Sequence, residues 1–80
     1  MQEYVFCFKI DKEDGFVPVF EATKIVESIG AIHKYNALLK VKDGVRDYTM
    51  NVLLDDKKKQ AFCDWLEKRP EILSFTYNMV

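Results

Sequence analysis

Three side chains of this sequence carry the groups most often used for catalysis or for metal binding: Cys7, His33 and Cys63. A nucleophilic thiol or hydroxyl needs a base within hydrogen-bond reach. No recognisable spacing pairs His33, the only histidine, with a cysteine or a serine. Structural zinc sites use closely spaced pairs of ligands, and these three residues are scattered along the chain. The sequence therefore predicts a protein that is not an enzyme, with no catalytic residue, no metal site and no cofactor.

The two cysteines also indicate a cellular compartment. Cys7 belongs to a strand-like run, whereas Cys63 belongs to a helix-like run that we expect on the other side of the sheet. A disulfide cannot span that separation, because its two Cα atoms must lie within about 7 Å of each other. We therefore expect two reduced thiols and a cytoplasmic protein. No apolar run approaches the ~20 residues that cross a bilayer, so no membrane association is expected.

Length and charge limit the classes of function. The chain has 80 residues, with 12 Lys and Arg against 13 Asp and Glu, for a net charge of −1. Nucleic-acid binders usually carry a basic excess that neutralises phosphates, so no nucleic-acid partner is expected. This length predicts one domain over residues 1–80. A domain this small buries a modest fraction of its surface, so pairing with a second copy would stabilise it.

The periodicity of the apolar residues predicts six elements in the order strand, helix, strand, strand, helix, strand. The predicted strands are Tyr4–Ile10, Ala31–Lys42, Arg46–Leu54 and Ile72–Met79, and the predicted helices are Pro18–Ile29 and Asp56–Arg69. This order is the split βαβ, or ferredoxin-like, plan. We therefore predict an α+β sandwich, in which a four-stranded antiparallel sheet of order 4-1-3-2 carries two helices on one face.

Single residues mark the ends of these elements. Pro18 suits the first position of a helix, where its missing N–H has no helical partner. Gly30 follows the first helix at the position of a left-handed cap. Asp55 is a candidate N-cap for the second helix. Asp43-Gly44 predicts a two-residue type I′ turn between the second and third strands.

Period-two alternation separates a bulky face from a smaller one on three of the strands. The bulky faces, which we expect to meet the helices, are Tyr4, Phe6, Phe8 and Ile10; Tyr48, Met50, Val52 and Leu54; and Leu73, Phe75, Tyr77 and Met79. The second strand is ambiguous, and its expected inward set is Ala31, His33, Tyr35, Ala37, Leu39 and Val41.

Two known functions of this fold can be tested against the residues. Acylphosphatases carry an arginine-bearing, glycine-rich phosphate loop after the first strand, whereas the loop Asp11–Gly15 is acidic and would repel an anion. Readers of RNA of the RRM kind stack bases on aromatic side chains of the open sheet face. Here the open face of the central strands is expected to carry Val5, Cys7, Thr49 and Asn51, so an RRM-like function is less favoured unless the faces are reversed.

The segments Lys9–Val17 and Glu27–Ile32 resemble the ACT domain. In that family a strand ends in an Asp-x-x-Gly-like turn before an apolar helix start. The helix then closes with a glycine, and an isoleucine opens the second strand. Shorter stretches match the rest of the pattern: Lys42-Asp43-Gly44 at the hairpin, then Trp65-Leu66, Pro70 and Ile72 before the last strand. The resemblance covers almost the whole chain.

This resemblance implies a non-catalytic regulatory module. ACT domains pair, often into a continuous eight-stranded sheet, and many bind an amino acid at the dimer interface. The implied ligand-binding residues are Asp14, Gly15, Phe16 and Val17 in the first loop, and Gly30, Ala31 and Ile32 across the interface. The turn glycine is commonly preceded by proline in the family but by Asp14 here, and Glu13 adds a second negative charge. These changes favour dimerisation over capture of a small amino-acid-like ligand.

Two alternatives stay open. A turn at Asp14-Gly15 and a helix cap at Gly30 would explain these residues without any ligand. The chain could also be a protein-binding adaptor or chaperone-like domain, which offers a sheet edge or its open sheet face to a protein partner. Lys34, Lys40 and Lys42 flank the second strand, expected at one edge, and edge lysines hinder uncontrolled strand pairing. These lysines therefore favour a defined homodimer over a domain that pairs with many partners through its edge.

Overall fold

The computed structural model describes residues 1–80 and contains all six predicted elements. They are β1 (Gln2–Asp11), α1 (Val17–Ser28), β2 (Ile32–Lys42), β3 (Val45–Leu54), α2 (Asp56–Glu67) and β4 (Ile72–Met79), and a short 3-10 turn (Lys12–Asp14) joins β1 to α1. Only the ends differ from the sequence prediction. The first helix begins one residue earlier, at Val17, so that Pro18 is its second residue. Neither helix has the length and apolar character needed to cross a membrane.

The four strands form one sheet in the order β2-β3-β1-β4, which is the predicted order 4-1-3-2 read from the other edge. Every neighbouring pair is antiparallel. Phe6 on β1 lies opposite Met50 on β3 and Tyr77 on β4. Because directly opposed residues share a face, the bulky sets of β1 and β3 and the β4 residues Phe75 and Tyr77 point to the same side, as the alternation predicts.

Both helices cover that bulky face. Val19 and Val26 of α1 and Phe62 of α2 are buried in one cluster with the inward side chains of β1 and β3. The rings of Phe6 and Phe62 meet edge to face, with their centroids 4.9 Å apart. An edge-to-face arrangement sets the positive ring edge against the negative ring face and so adds to the area that the two rings bury.

The predicted end signals are present in the structure. Asp55 accepts a hydrogen bond from the N–H of Lys58 at 2.9 Å, which is an N-cap for α2. Asp43 and Gly44 have φ values of 53° and 77°, the left-handed conformations that a type I′ turn requires. These two local features fix where α2 begins and how β2 and β3 are joined.

One correction concerns the start of β4. Lys9 is opposite Ser74 but Ile10 is opposite Ile72, so Leu73 is an extra residue that bulges out of the ladder. Ile72 therefore takes the inward position and is 8% exposed, whereas Leu73, which we predicted to face inward, is 54% exposed. Phe75 follows the predicted pattern but is only partly buried at the edge of the sheet.

A second correction concerns β2. Its register shifts twice, between His33 and Tyr35 and between Leu38 and Lys40. After the first shift Asn36 lies opposite the inward residue Met50, and Leu38 lies opposite Tyr48. Tyr35 and Ala37 therefore share the open face with Asn51 and Thr49, and Leu39 lies there too, beside Cys7 and Lys9 in a shallow depression. The three inward assignments of Tyr35, Ala37 and Leu39 were wrong, because each bulge inverts the alternation that follows it.

Candidate functional site

The first predicted site segment is the turn between β1 and α1. Asp11 accepts a hydrogen bond from the N–H of Glu13 at 2.9 Å, and the N–H of Gly15 donates to the carbonyl of Lys12 at 3.2 Å. Gly15 has φ 61° and ψ −135°, a conformation that side chains with a Cβ rarely adopt. A Cβ at this position would meet nothing within 4 Å. Glycine is therefore required here by its backbone conformation and leaves open space beside the turn.

The start of α1 follows this turn without a side-chain cap. Phe16 occupies the N-cap position and makes no side-chain hydrogen bond to the helix. Pro18 has no N–H, which reduces the free donors of the first turn. Glu13 and Asp14 are exposed immediately before the helix, where their carboxylates interact favourably with its positive end. These carboxylates compete with any external anion for that position, as the sequence predicts.

The second predicted segment is a helix cap. The N–H of Gly30 donates to the carbonyl of Glu27 at 3.1 Å, and the N–H of Ala31 donates to the carbonyl of Val26 at 3.0 Å. With φ 80° at Gly30, this pair of hydrogen bonds is a Schellman motif. Lys58 Nζ also donates to the carbonyl of Gly30 at 3.1 Å. The cap thus accounts for the conformation of Gly30 without any ligand.

The two segments are not brought together within one chain. They lie at opposite ends of α1, which has 12 residues and is about 18 Å long. Ala31 is buried, whereas Ile32 is 50% exposed on the open face of the sheet. No groove of the structure is lined by residues of both segments. Only a second copy of the chain could place one segment against the other.

A third feature lies under Phe16 and was not predicted from the sequence. The guanidinium carbon of Arg46 is 5.1 Å from the centre of the Phe16 ring, and the ring of Tyr48 meets it edge to face at 5.9 Å. Arg46 Nη1 and Tyr48 Oη are both buried and have no hydrogen-bond partner. One sequence signal could have indicated this cluster: an arginine lies two residues before Tyr48, on the strand face predicted to meet the helices.

A shallow groove of about 170 Å³ runs beside this cluster between the start of α1 and the edge strand β2. Its lining is mostly apolar: Phe16, Val19, Phe20, Asn36, Ala37, Leu38 and Tyr48. Phe20 is 62% exposed although it lies on the helix that covers the core. Asn36 donates to Thr23 Oγ1 at 3.3 Å and pairs with His33 Nε2 at 2.9 Å, so its amide is held in place.

The residues first considered for catalysis, Cys7, His33 and Cys63, are not arranged as a catalytic or metal-binding group. Cys7 is half-buried on the open face, Cys63 is buried on α2, and both are free thiols. Burial raises the pKa of the Cys63 thiol. His33 pairs with Asn36 at the edge strand, away from either cysteine. No group of three or more histidine, cysteine or acidic side chains could hold a metal ion.

The side chains on the open sheet face show whether this chain could stack bases as RRM domains do. Phe6 and Phe8, the aromatic residues of β1 that could stack on bases, are fully buried under the helices. The central strands instead present Val5, Cys7 and Thr49 on the open face, in agreement with the predicted faces. The faces are not reversed, so the condition under which the RRM-like function would return is not met.

The comparisons with known proteins agree on the fold. The C-terminal domain of the MgtC protein from Mycobacterium tuberculosis is similar with a TM-score of 0.84 and 11% identity, over 100% of this chain and 88% of that one. A 30S ribosomal protein S6 from Thermotoga maritima has a TM-score of 0.78 and 18% identity, over 99% of this chain and 87% of that one. No protein-family model and no curated protein matches the sequence.

An ACT domain is among the similar structures. The ACT domain from the GTP pyrophosphokinase of Chlorobium tepidum has a TM-score of 0.71 and 13% identity, over 96% of this chain and 97% of that one. Identities this low concern the fold and not the function. The resemblance to ACT domains that the sequence suggests is therefore confirmed for the fold, which is the ferredoxin-like fold of all three neighbours.

Proposed function

We propose that this chain is a non-catalytic, ACT-like regulatory module that forms a homodimer and binds a small amino-acid-like ligand at the interface. The observation that carries the proposal is the placement of the two ligand segments at opposite ends of α1. A two-fold axis near the middle of α1 would set the turn around Gly15 in one copy against the cap around Gly30 in the other. Each composite site would then contain one segment from each copy.

Uncovered apolar side chains at the start of α1 support this arrangement. Val17 and Phe20 are both exposed there. Burying such side chains against a second copy removes apolar surface from water, which stabilises a small domain. The two free cysteines suit a reducing compartment such as the cytoplasm.

The proposal is tested by native mass spectrometry and isothermal titration with a panel of amino acids. A dimer at tens of micromolar and heat from at least one amino acid are expected. Gly15→Ala and Gly15→Val form a graded pair, since both substitutions strain the same backbone but only valine adds branched bulk in the open space beside the turn. Gly15→Val should lose somewhat more thermal stability than Gly15→Ala, because β-branched residues tolerate positive φ least, and it should bind the amino acid more weakly at a temperature where both variants are folded. A monomer that gives no heat with any amino acid would contradict the proposal.

A second candidate function is a protein-binding adaptor, and the β4 edge favours it. The strand Ile72–Met79 contains no charged residue, and its side chains Leu73, Tyr77 and Met79 are exposed. The opposite edge, β2, carries lysines and two register shifts, both of which discourage strand addition. The bulge of β4 lies at its start, at Leu73, and the rest of this edge has neither a lysine nor a register shift, so it can accept a strand from a partner.

Mass, amino-acid titration and hydrogen exchange of β4 together separate the two candidates. A dimer that binds an amino acid and leaves the outward amides of β4 exposed supports the regulatory module. A monomer that binds no amino acid, with β4 amides that exchange at a rate independent of protein concentration, favours the adaptor. Protection that rises with protein concentration would show instead that β4 pairs with a second copy.

A further inference from the structure

Two buried polar atoms have no partner in this chain, Arg46 Nη1 and Tyr48 Oη. Leaving a buried donor unpaired is costly, and native proteins contain few such groups, so each one calls for an explanation. Tyr48 is only 3% exposed, so its hydroxyl is shielded from bulk solvent. The two residues are two positions apart on β3 and therefore project from the same face of the sheet.

Phe16 lies over both of these residues. Its ring is 5.1 Å from the Arg46 guanidinium carbon and 5.9 Å from the centre of the Tyr48 ring. Phe16 is itself 49% exposed, so few contacts hold its outer side. It directly follows Gly15, whose backbone has more conformational freedom than that of any other residue. Phe16 is therefore the half-exposed side chain that packs on both the Arg46 guanidinium and the Tyr48 ring.

We propose that Phe16 covers a subsite for the carboxylate of a small apolar carboxylic acid, with Arg46 and Tyr48 as the hydrogen-bond donors. The inference rests on the proposed function and names the chemical class of its ligand. A carboxylate only accepts hydrogen bonds and has room for several, so it can satisfy a guanidinium and a phenol together. Hydrogen bonds between charged partners of this kind are shorter and stronger than neutral ones.

The adjoining groove supplies the place for the rest of the ligand. Val19, Phe20 and Leu38 make its walls apolar, and no acidic side chain lines it. Its volume of about 170 Å³ is below the roughly 300–1,000 Å³ of pockets for drug-sized molecules, so it suits a smaller molecule. Because Glu13 and Asp14 already occupy the positive end of α1, the guanidinium of Arg46 is the positive charge that a ligand carboxylate would meet here. A short branched hydrocarbon with one carboxylate meets all of these conditions.

The test uses 4-methylpentanoate, its primary amide, L-leucine and inorganic phosphate as probes in calorimetric titrations of the intact protein. The acid and L-leucine should bind, and the amide should bind at least tenfold more weakly because it lacks the charge. Tyr48→Phe removes only the hydroxyl, so it should weaken binding of the acid about tenfold while thermal stability stays equal or rises. Arg46→Met should weaken binding by a similar or larger factor. Tyr77→Phe, on the exposed β4 edge, is the matched control and should bind like the parent.

The outcomes distinguish this inference from the proposed function. If L-leucine or another amino acid binds and Tyr48→Phe binds it as tightly as the parent, the subsite is wrong and the proposed function stands. Equal binding of the acid and its amide also overturns the subsite. Phosphate that displaces 4-methylpentanoate with equal affinity overturns the apolar class of the ligand. If neither 4-methylpentanoate nor L-leucine binds at millimolar concentration, the inference fails, whereas the ligand part of the proposed function fails only if no amino acid of the panel binds.

Discussion

Lys34 reaches across the open face of the sheet to Glu3, where its Nζ donates to Oε1 at 2.8 Å. Asn51, on the strand between them, donates from Nδ2 to the other carboxylate oxygen of Glu3 at 3.1 Å. One carboxylate thus connects β1, β3 and β2. The hydrogen bonds from Lys34 and Asn51 hold the pKa of Glu3 below its ordinary value, and the bond to Glu3 raises the pKa of Lys34.

This network predicts a pH dependence of stability. Because the pKa of folded Glu3 is lowered, its contribution is fully present above the ordinary value of 4.5 and is lost as the pH falls through the folded-state pKa. The raised pKa of Lys34 acts in the other direction, and its contribution is lost only as the pH rises beyond the ordinary value of 10.5. Between these limits the melting temperature of Glu3→Gln should lie below that of the parent by a constant amount.

The gap should shrink as the pH drops below 4.5, since the parent then loses the charge that the variant lacks already. Thermal melts of the parent and Glu3→Gln from pH 7 downward measure this difference in melting temperature. Glu13→Gln is the comparison, because exposed Glu13 makes no ion pair or side-chain hydrogen bond and acts only through the weaker field of the helix end, so its gap should be smaller. A gap that stays the same at every acidic pH would show that the carboxylate charge is not the cause.

Replacing Phe6 with alanine should destabilise the fold far more than replacing Phe75 with alanine. Phe6 is fully buried against Phe62 and Phe8, and replacing it with alanine should cost roughly 3–5 kcal/mol. That is a large part of the total stability of a small domain. Phe75→Ala should cost clearly less, because this ring is only partly buried at the sheet edge. Urea unfolding of both variants, with the exposed Lys57→Ala as a control, measures the difference. Equal costs for the two phenylalanines would contradict the placement of Phe75.

The bulge in β4 predicts that alanine substitutions at the neighbouring residues Ile72 and Leu73 have unequal effects on stability. Ile72→Ala should destabilise the fold by about 2–4 kcal/mol, since Ile72 is buried against the core. Leu73→Ala should change stability by less than about half a kcal/mol, because that side chain is exposed. Chemical denaturation of the two variants decides the register. If Leu73→Ala were the more damaging change, the bulge would be misplaced.

Cys63 should resist thiol reagents. It is buried, and its raised pKa lowers the fraction of reactive thiolate at neutral pH. In a Cys7→Ser variant the remaining thiol should react with a colorimetric disulfide reagent much more slowly than it does after unfolding in urea. The reaction should speed up as the pH rises toward the shifted pKa. Equal rates in the folded and unfolded states would show that Cys63 is accessible.

The order of the elements, the faces of β1 and β3 and the start of α2 could be predicted from sequence alone. Each depends on local physics: alternation along one strand, an aspartate before a helix, or a two-residue turn such as Asp43-Gly44. The ligand segments around Gly15 and Gly30 were likewise identified as a turn and a cap. Their role as a site stays a prediction, because it needs a second copy and a ligand.

The tertiary structure alone decided the face of β2, the inward residue of β4 and the cluster under Phe16. The bulges near Lys34, Leu39 and Leu73 arise from how edge strands pair with their neighbours, and each one inverts the pattern that alternation predicts. The contact of Phe16 with Arg46 joins residues 30 positions apart. It exists only because the residue before α1 comes to lie against β3 in the folded chain, which no local pattern in either segment encodes.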